Sequence, residues 1–163
     1  MYKRLVLISA FLLLCLSVNA QRNFIFNTNI TGFKYEGFSG NTYVYTAKRL
    51  PKEDAKKMFT GITIIPTPQL TWEQAQDRIR QMMNTPRKGN VTYSNFKKED
   101  ISFNGYKAAT LQFTMTENGK PMQGYMALLF GNNTSVIFFG IDTENKGRYL
   151  EKYKASLKTV RLK

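Results

Sequence analysis

Few groups in this sequence could do chemistry. Its acidic side chains cluster at Glu53-Asp54, at Glu99-Asp100 and at the pair Asp142 and Glu144. Two carboxylates held across a cleft would suit glycoside hydrolysis, one as acid and the other as base or nucleophile. Ser94 precedes Lys97 in "SNFK", the S-x-x-K spacing of a serine hydrolase whose lysine takes the proton. Context opposes both readings. Glu99-Asp100 follow Lys97-Lys98 in what reads as a turn, and Asp142 opens a connection running to Lys146, where solvated charge is the rule. "SNFK" falls in a strand pattern rather than at a strand-to-helix elbow. The acids are too sparse for a calcium loop, and no glycine-rich phosphate loop occurs.

The sequence has no His and one Cys, Cys15, which lies in the N-terminal stretch "MYKRLVLISAFLLLCLSVNA". Lys3 and Arg4 followed by an apolar run and Val18-Asn19-Ala20 have the pattern of a secretory signal peptide, residues 1–20, cleaved after Ala20. The run is short of the roughly 20 apolar residues that a membrane span needs. Lipoprotein processing at Cys15 is the lesser option, because Leu14 stands where a small residue is normal. Without residues 1–20 the chain has neither imidazole nor thiol. Histidine- and cysteine-based catalysis, His/Cys-ligated metals and disulfides are then excluded together, and no cofactor or metal is expected. Residues 21–163 are read as a single α+β domain, long enough to bury a core without disulfides. The net charge of +13 falls to +11 when Lys3 and Arg4 are removed. Behind a signal peptide such a charge favours an anionic envelope or membrane surface over nucleic acid, or gives solubility alone.

The elements that would position any site follow from periodicity. "FIF" at 24–26 and "TYVYTA" at 42–47 read as strands separated by a turn region with Gly32, Gly37 and Gly40. A helical turn through "KEDAKKM" precedes "ITII" at 62–65, which Pro66 and Pro68 should stop. In "TWEQAQDRIRQMM" Thr71 and Gln74 make a capping box, and Trp72, Ala75, Ile79, Met82 and Met83 recur at helical spacing, predicting a helix over 72–83 that ends before Pro86 and Gly89. Asn104-Gly105 and Asn118-Gly119 are tight hairpin signals on either side of "YKAATLQFTMT". That strand should bury Ala109, Leu111, Phe113 and Met115 and turn Thr110, Gln112 and Thr114 to the other side.

"YMALLFGNNTSVIFFGID", residues 125–142, is apolar except at its middle. A bilayer could not hold "GNNTS" at its centre, so the stretch reads as a hairpin of strands 125–130 and 136–141. Both are apolar on both sides and need a sheet covered on two faces. The C-terminal stripe of Leu150, Tyr153, Leu157 and Val160 supplies one cover as a helix, on which Glu151 can pair weakly with Lys154. Together these elements make an antiparallel meander flanked by helices.

The order of elements, with "TWEQAQDRI", "NGYKAATLQF" and the terminal "YLEKYKASLKTV", resembles the PsbP-like family, most closely from Thr71 to Val160. The resemblance implies an α/β/α sandwich and a role as an exported accessory or binding protein rather than an enzyme. It supplies no catalytic residue to carry over, and the segment "RLPKEDAKKMFTGITIIPTP" departs from its pattern. Candidate contact residues are Tyr35, Phe38, Tyr43 and Tyr45, aromatics that no periodicity buries, and Lys152, Lys154 and Lys158 on the last helix, for an anionic surface. The partner would be a protein or small ligand, and the chain a monomer or weak dimer. A hydrolase using carboxylates, Ser or Lys is the competing class.

Overall fold

The computed structural model describes residues 24–47, 60–85, 87–88, 90–131, 134–144 and 147–163. The expected signal peptide, the helical turn expected at "KEDAKKM" with Glu53-Asp54, Pro86, Gly89, Asn132-Asn133 and Lys146 lie outside the described residues.

Eight strands form one antiparallel sheet in the order β2-β3-β4-β9-β8-β7-β6-β5. They are β2 (Lys34–Ser39), β3 (Thr42–Thr46), β4 (Gly61–Thr67), β5 (Arg87–Lys88), β6 (Val91–Phe103), β7 (Tyr106–Glu117), β8 (Lys120–Phe130) and β9 (Ser135–Asp142). A two-stranded ribbon pairs the first and last described strands, β1 (Phe24–Ile25) against β10 (Arg161–Leu162). Among the described residues the helices are α1 (Thr28–Thr31), α2 (Trp72–Asn84) and α3 (Leu150–Leu157). The architecture is the α+β sandwich expected, an antiparallel meander with helices on both faces. Among the described residues no helix is long and apolar enough to cross a membrane.

Both Asn-Gly pairs form two-residue hairpin loops, with Phe103 opposite Tyr106 and Glu117 opposite Lys120. All four loop residues have positive φ, between 49° and 81°. This is the backbone of a type I′ turn, whose twist matches the strands it joins and which Asn and Gly tolerate. Those turns fix the register of β6, β7 and β8. The predicted hairpin follows, with Tyr125 opposite Gly140 and Leu129 opposite Val136. Its two faces are buried in separate cores: Tyr125, Ala127 and Leu129 pack under α3, while Leu128 with Met126 and Phe130 packs under α2.

The sequence-predicted strands need three corrections. Lys34–Ser39, expected as a turn, is the edge strand β2, whose pairing to β3 is irregular between Tyr35 and Gly37. The extra residue of a bulge breaks period-2 alternation, so Tyr35 and Phe38 share a face although they are three apart. β4 continues through Pro66 to Thr67. Pro66 pairs only with Val136 of β9, beyond the last β3 partner, and the Asn41 side chain donates to its carbonyl from the β2–β3 turn. Its nitrogen therefore points where no ladder bond is required. Finally, Glu99-Asp100 stand in the middle of β6 rather than in a turn.

The α2 cap is as predicted. Thr71 Oγ1 accepts from Gln74 N at 3.2 Å and Gln74 Oε1 accepts from Thr71 N at 2.9 Å. Thr71→Ala is expected to cost about 1 kcal/mol, read as a lower urea midpoint with an unchanged slope.

Candidate functional site

The four candidate aromatics divide into two pairs. Tyr43 and Tyr45 are 5% and 2% exposed and belong to the core under α3, so the expectation that nothing buries them is overturned. Phe24 packs edge-on against Tyr43 at 5.0 Å and Phe26 against Tyr45 at 4.6 Å between ring centroids. The cover comes from the β1–β10 ribbon, which pairs segments far apart in the sequence and leaves no local signal near residue 43. Tyr35 and Phe38 are 42% and 44% exposed on β2. Their rings ride on the buried pair, Tyr35 on Tyr45 at 5.4 Å and Phe38 on Tyr43 at 4.8 Å.

The candidate lysines differ in their surroundings. Lys154 is partly buried and pairs with Glu151 at 3.0 Å. Lys152 is exposed, with Nζ 5.3 Å from the Tyr149 ring centroid. Lys158 is exposed at the end of α3, where its carbonyl accepts from Asn104 Nδ2 at 3.2 Å and from Arg161 at 2.8 Å.

Among the described residues neither hydrolase arrangement forms. Glu99 and Asp100 are consecutive strand residues, so their carboxylates point to opposite faces. Asp100 accepts from Gln76 of α2 at 3.2 Å, while the Glu99 charge acts on Tyr125 under the other face. Ser94 and Lys97 are both exposed and straddle an irregularity in β6 where Asn95 is left-handed, with φ 54°. Among the described residues no three His, Cys, Asp or Glu side chains converge as a metal site.

Sequence reasoning missed a polar row on the α3 side of the sheet. Thr114 lies opposite Gln123 and Gln123 opposite Asp142, across three adjacent central strands. Asp142, expected to be solvated, is fully buried at 0% exposure. Its Oδ1 accepts from Glu144 N at 3.0 Å, and its Oδ2 has no partner among the described residues. In the next row Gln112 lies opposite Tyr125, and Gln112 Nε2 is likewise buried without a partner. Thr114 Oγ1 accepts from Asn95 Nδ2 at 3.1 Å. Thr110, expected on the solvent side, is 1% exposed and donates to the Glu99 carbonyl at 2.7 Å.

Two phenols bound this row. Burial pushes Tyr125 up to about 12, opposed by the Thr110 hydroxyl and reinforced by the Glu99 and Glu151 carboxylates. Tyr153 is raised further, first by burial and then by the Asp142 charge, and its hydroxyl donates to the Ile141 carbonyl. Both stay protonated at neutral pH, and Tyr153 acts as a hydrogen-bond donor rather than a base. The arrangement can hold hydrogen bonds in both senses, but it sets no nucleophile against a base. The row was within reach of the sequence, because the Asn-Gly turns alone set Gln112 against Tyr125 and Thr114 against Gln123.

No family model and no curated protein sequence matches the chain. Solved structures do. The solution structure of cyanobacterial PsbP (CyanoP) from Synechocystis sp. PCC 6803 superposes with a TM-score of 0.56 at 12% identity, covering 86% of this chain and 91% of that one. A Pseudomonas aeruginosa protein of unknown function, PA94, matches at a TM-score of 0.50 and 13% identity, over 79% of this chain and 86% of that one. At such identity the likeness concerns the fold, and the fold of this chain is PsbP-like.

Proposed function

We propose that the protein is an exported, non-enzymatic accessory protein that engages its partner at the β2 edge of the sheet. The observation that carries this reading is the exposure of Tyr35 and Phe38, 42% and 44%, on an edge strand where buried Tyr45 and Tyr43 hold their rings. Rigid aromatic side chains offer large contact area at small entropic cost. The PsbP-like resemblance favours an accessory role, and the pattern of residues 1–20 favours export.

The test is site-specific photocrosslinking in the exporting host, with a photoreactive phenylalanine analogue at position 38 and, as control, at exposed Lys98 on β6. A discrete adduct from position 38 and none from position 98 is expected. Equal labelling from both positions refutes the edge as a docking site. A panel of chromogenic glycosides and esters should show no turnover. Turnover lost in Asp142→Asn or Lys97→Gln would replace this reading by the hydrolase one.

A further inference from the structure

The layer that covers one face of the sheet, built from α3 and the β1–β10 ribbon, carries an unusual outer surface. Lys152, Lys158, Arg161 and Lys163 are all exposed on it, and among the described residues none has a carboxylate partner. Residues 24–33 and 155–163 contain no Asp or Glu. The nearby acid on α3, Glu151, is taken by Lys154, and Glu144 is taken by Arg148. Arg161 is fixed rather than waving: its guanidinium donates to the carbonyls of Lys158 at 2.8 Å and Val160 at 3.0 Å. Directly across the ribbon from Arg161 stands Ile25, 53% exposed, the most exposed large apolar side chain among the described residues. Phe24 and Leu162, on the inner side of the same ribbon, pack into the core.

We infer that this layer is a docking surface for an anionic phospholipid bilayer. Cations without carboxylate partners, carried on the last helix and the residues that follow it, are drawn to a negatively charged leaflet. The choice of lipid over a soluble polyanion rests on Ile25. An aliphatic side chain presented among cations gains free energy where the headgroup layer gives way to acyl chains, and gains nothing against a hydrated polymer. The ribbon holds Ile25 and Arg161 at one level, so both meet the same plane. This proposal rests on other residues than the β2-edge reading, so the vesicle test and the crosslinking test can fail separately.

Co-sedimentation of the processed protein with vesicles of equimolar phosphatidylcholine and phosphatidylglycerol tests it. Binding is expected at low salt, weaker at physiological salt, and absent with phosphatidylcholine alone. The triple variant K158Q/R161Q/K163Q should lower partitioning about a hundredfold, and Ile25→Ser about tenfold. The control K97Q/K98Q/K120Q removes the same charge from exposed positions on β6 and β8 and should retain most of the binding. Equal losses in the two triple variants would reduce the effect to net charge and overturn the proposal. So would wild-type binding that Ile25→Ser leaves intact and that soluble polyphosphate matches, since that marks a polymer site. Failure to sediment with anionic vesicles at low salt sinks it outright.

Discussion

Gly140→Ala is expected to destabilise the protein by about 2–3 kcal/mol, a substantial part of the 5–15 kcal/mol that holds a typical domain together. A Cβ on Gly140 would lie 2.6 Å from Tyr153 Cγ and 2.8 Å from both Cδ atoms, closer than real contacts allow. The Tyr153 ring lies flat on the β9 backbone at this point and has no easy retreat. It stacks on Phe33 at 5.7 Å and on Tyr149 at 6.2 Å, and its hydroxyl is tied to the Ile141 carbonyl of the same strand. Making room therefore requires α3 to lift from the sheet, exposing part of a core that includes Leu157 and Val160, both 0% exposed. Urea unfolding should show the loss as a lower midpoint with little change in slope. The mechanism is specific enough to cross-check. In Tyr153→Ala the ring is gone, so adding Gly140→Ala should cost far less than it does alone, a coupling of more than about 1 kcal/mol. Additive losses, or a Gly140→Ala variant within about 0.5 kcal/mol of wild type, would show that the ring does not rest on this glycine.

The same glycine shows where sequence reasoning reaches and where it stops. The strand containing Gly140 was legible, because residues 136–141 are apolar on both sides and a turn precedes them. The hairpins at Asn104-Gly105 and Asn118-Gly119 and the Thr71/Gln74 capping box were legible for the same reason, their chemistry being complete within four residues. Edge strand β2 was not, because its bulge puts Tyr35 and Phe38 on one face at a spacing of three, which matches neither strand nor helix. Nor was the burial of Tyr43, Tyr45 and Asp142, since each depends on what arrives from far along the chain: the β1–β10 ribbon over the tyrosines, and Tyr153 of α3 beside the carboxylate. Exposure at the candidate site was therefore half readable. Tyr35 and Phe38 remain available as surface, whereas Tyr43 and Tyr45 serve as the base on which they stand.

Alkali should unfold this protein through two buried phenols. Tyr125 and Tyr153 are each 1% exposed, and both are held protonated above the ordinary phenol value of 10.0, Tyr125 up to about 12 and Tyr153 further. A folded-state value above the unfolded one means that their contribution is fully present below pH 10. It declines as pH rises from there, because the unfolded chain releases protons that the folded chain keeps. The slope is about 1.4 kcal/mol per pH unit for each phenol. Tyr125 alone removes about 3 kcal/mol between its unfolded and folded values, and Tyr153, raised in the same direction, adds to the loss. The two losses act together and take a substantial share of the roughly 5–15 kcal/mol that holds a typical domain together. Urea midpoints taken from neutral pH upward should stay level until about pH 10 and then fall steeply, with phenolate absorbance appearing in step with unfolding. Tyr153→Phe should roughly halve the slope while lowering neutral-pH stability by about 1 kcal/mol, through the lost bond to the Ile141 carbonyl. Phenolate absorbance that rises while the fold persists, or a slope that Tyr153→Phe leaves unchanged, would show that water reaches these rings and that the α3 side of the sheet is not sealed.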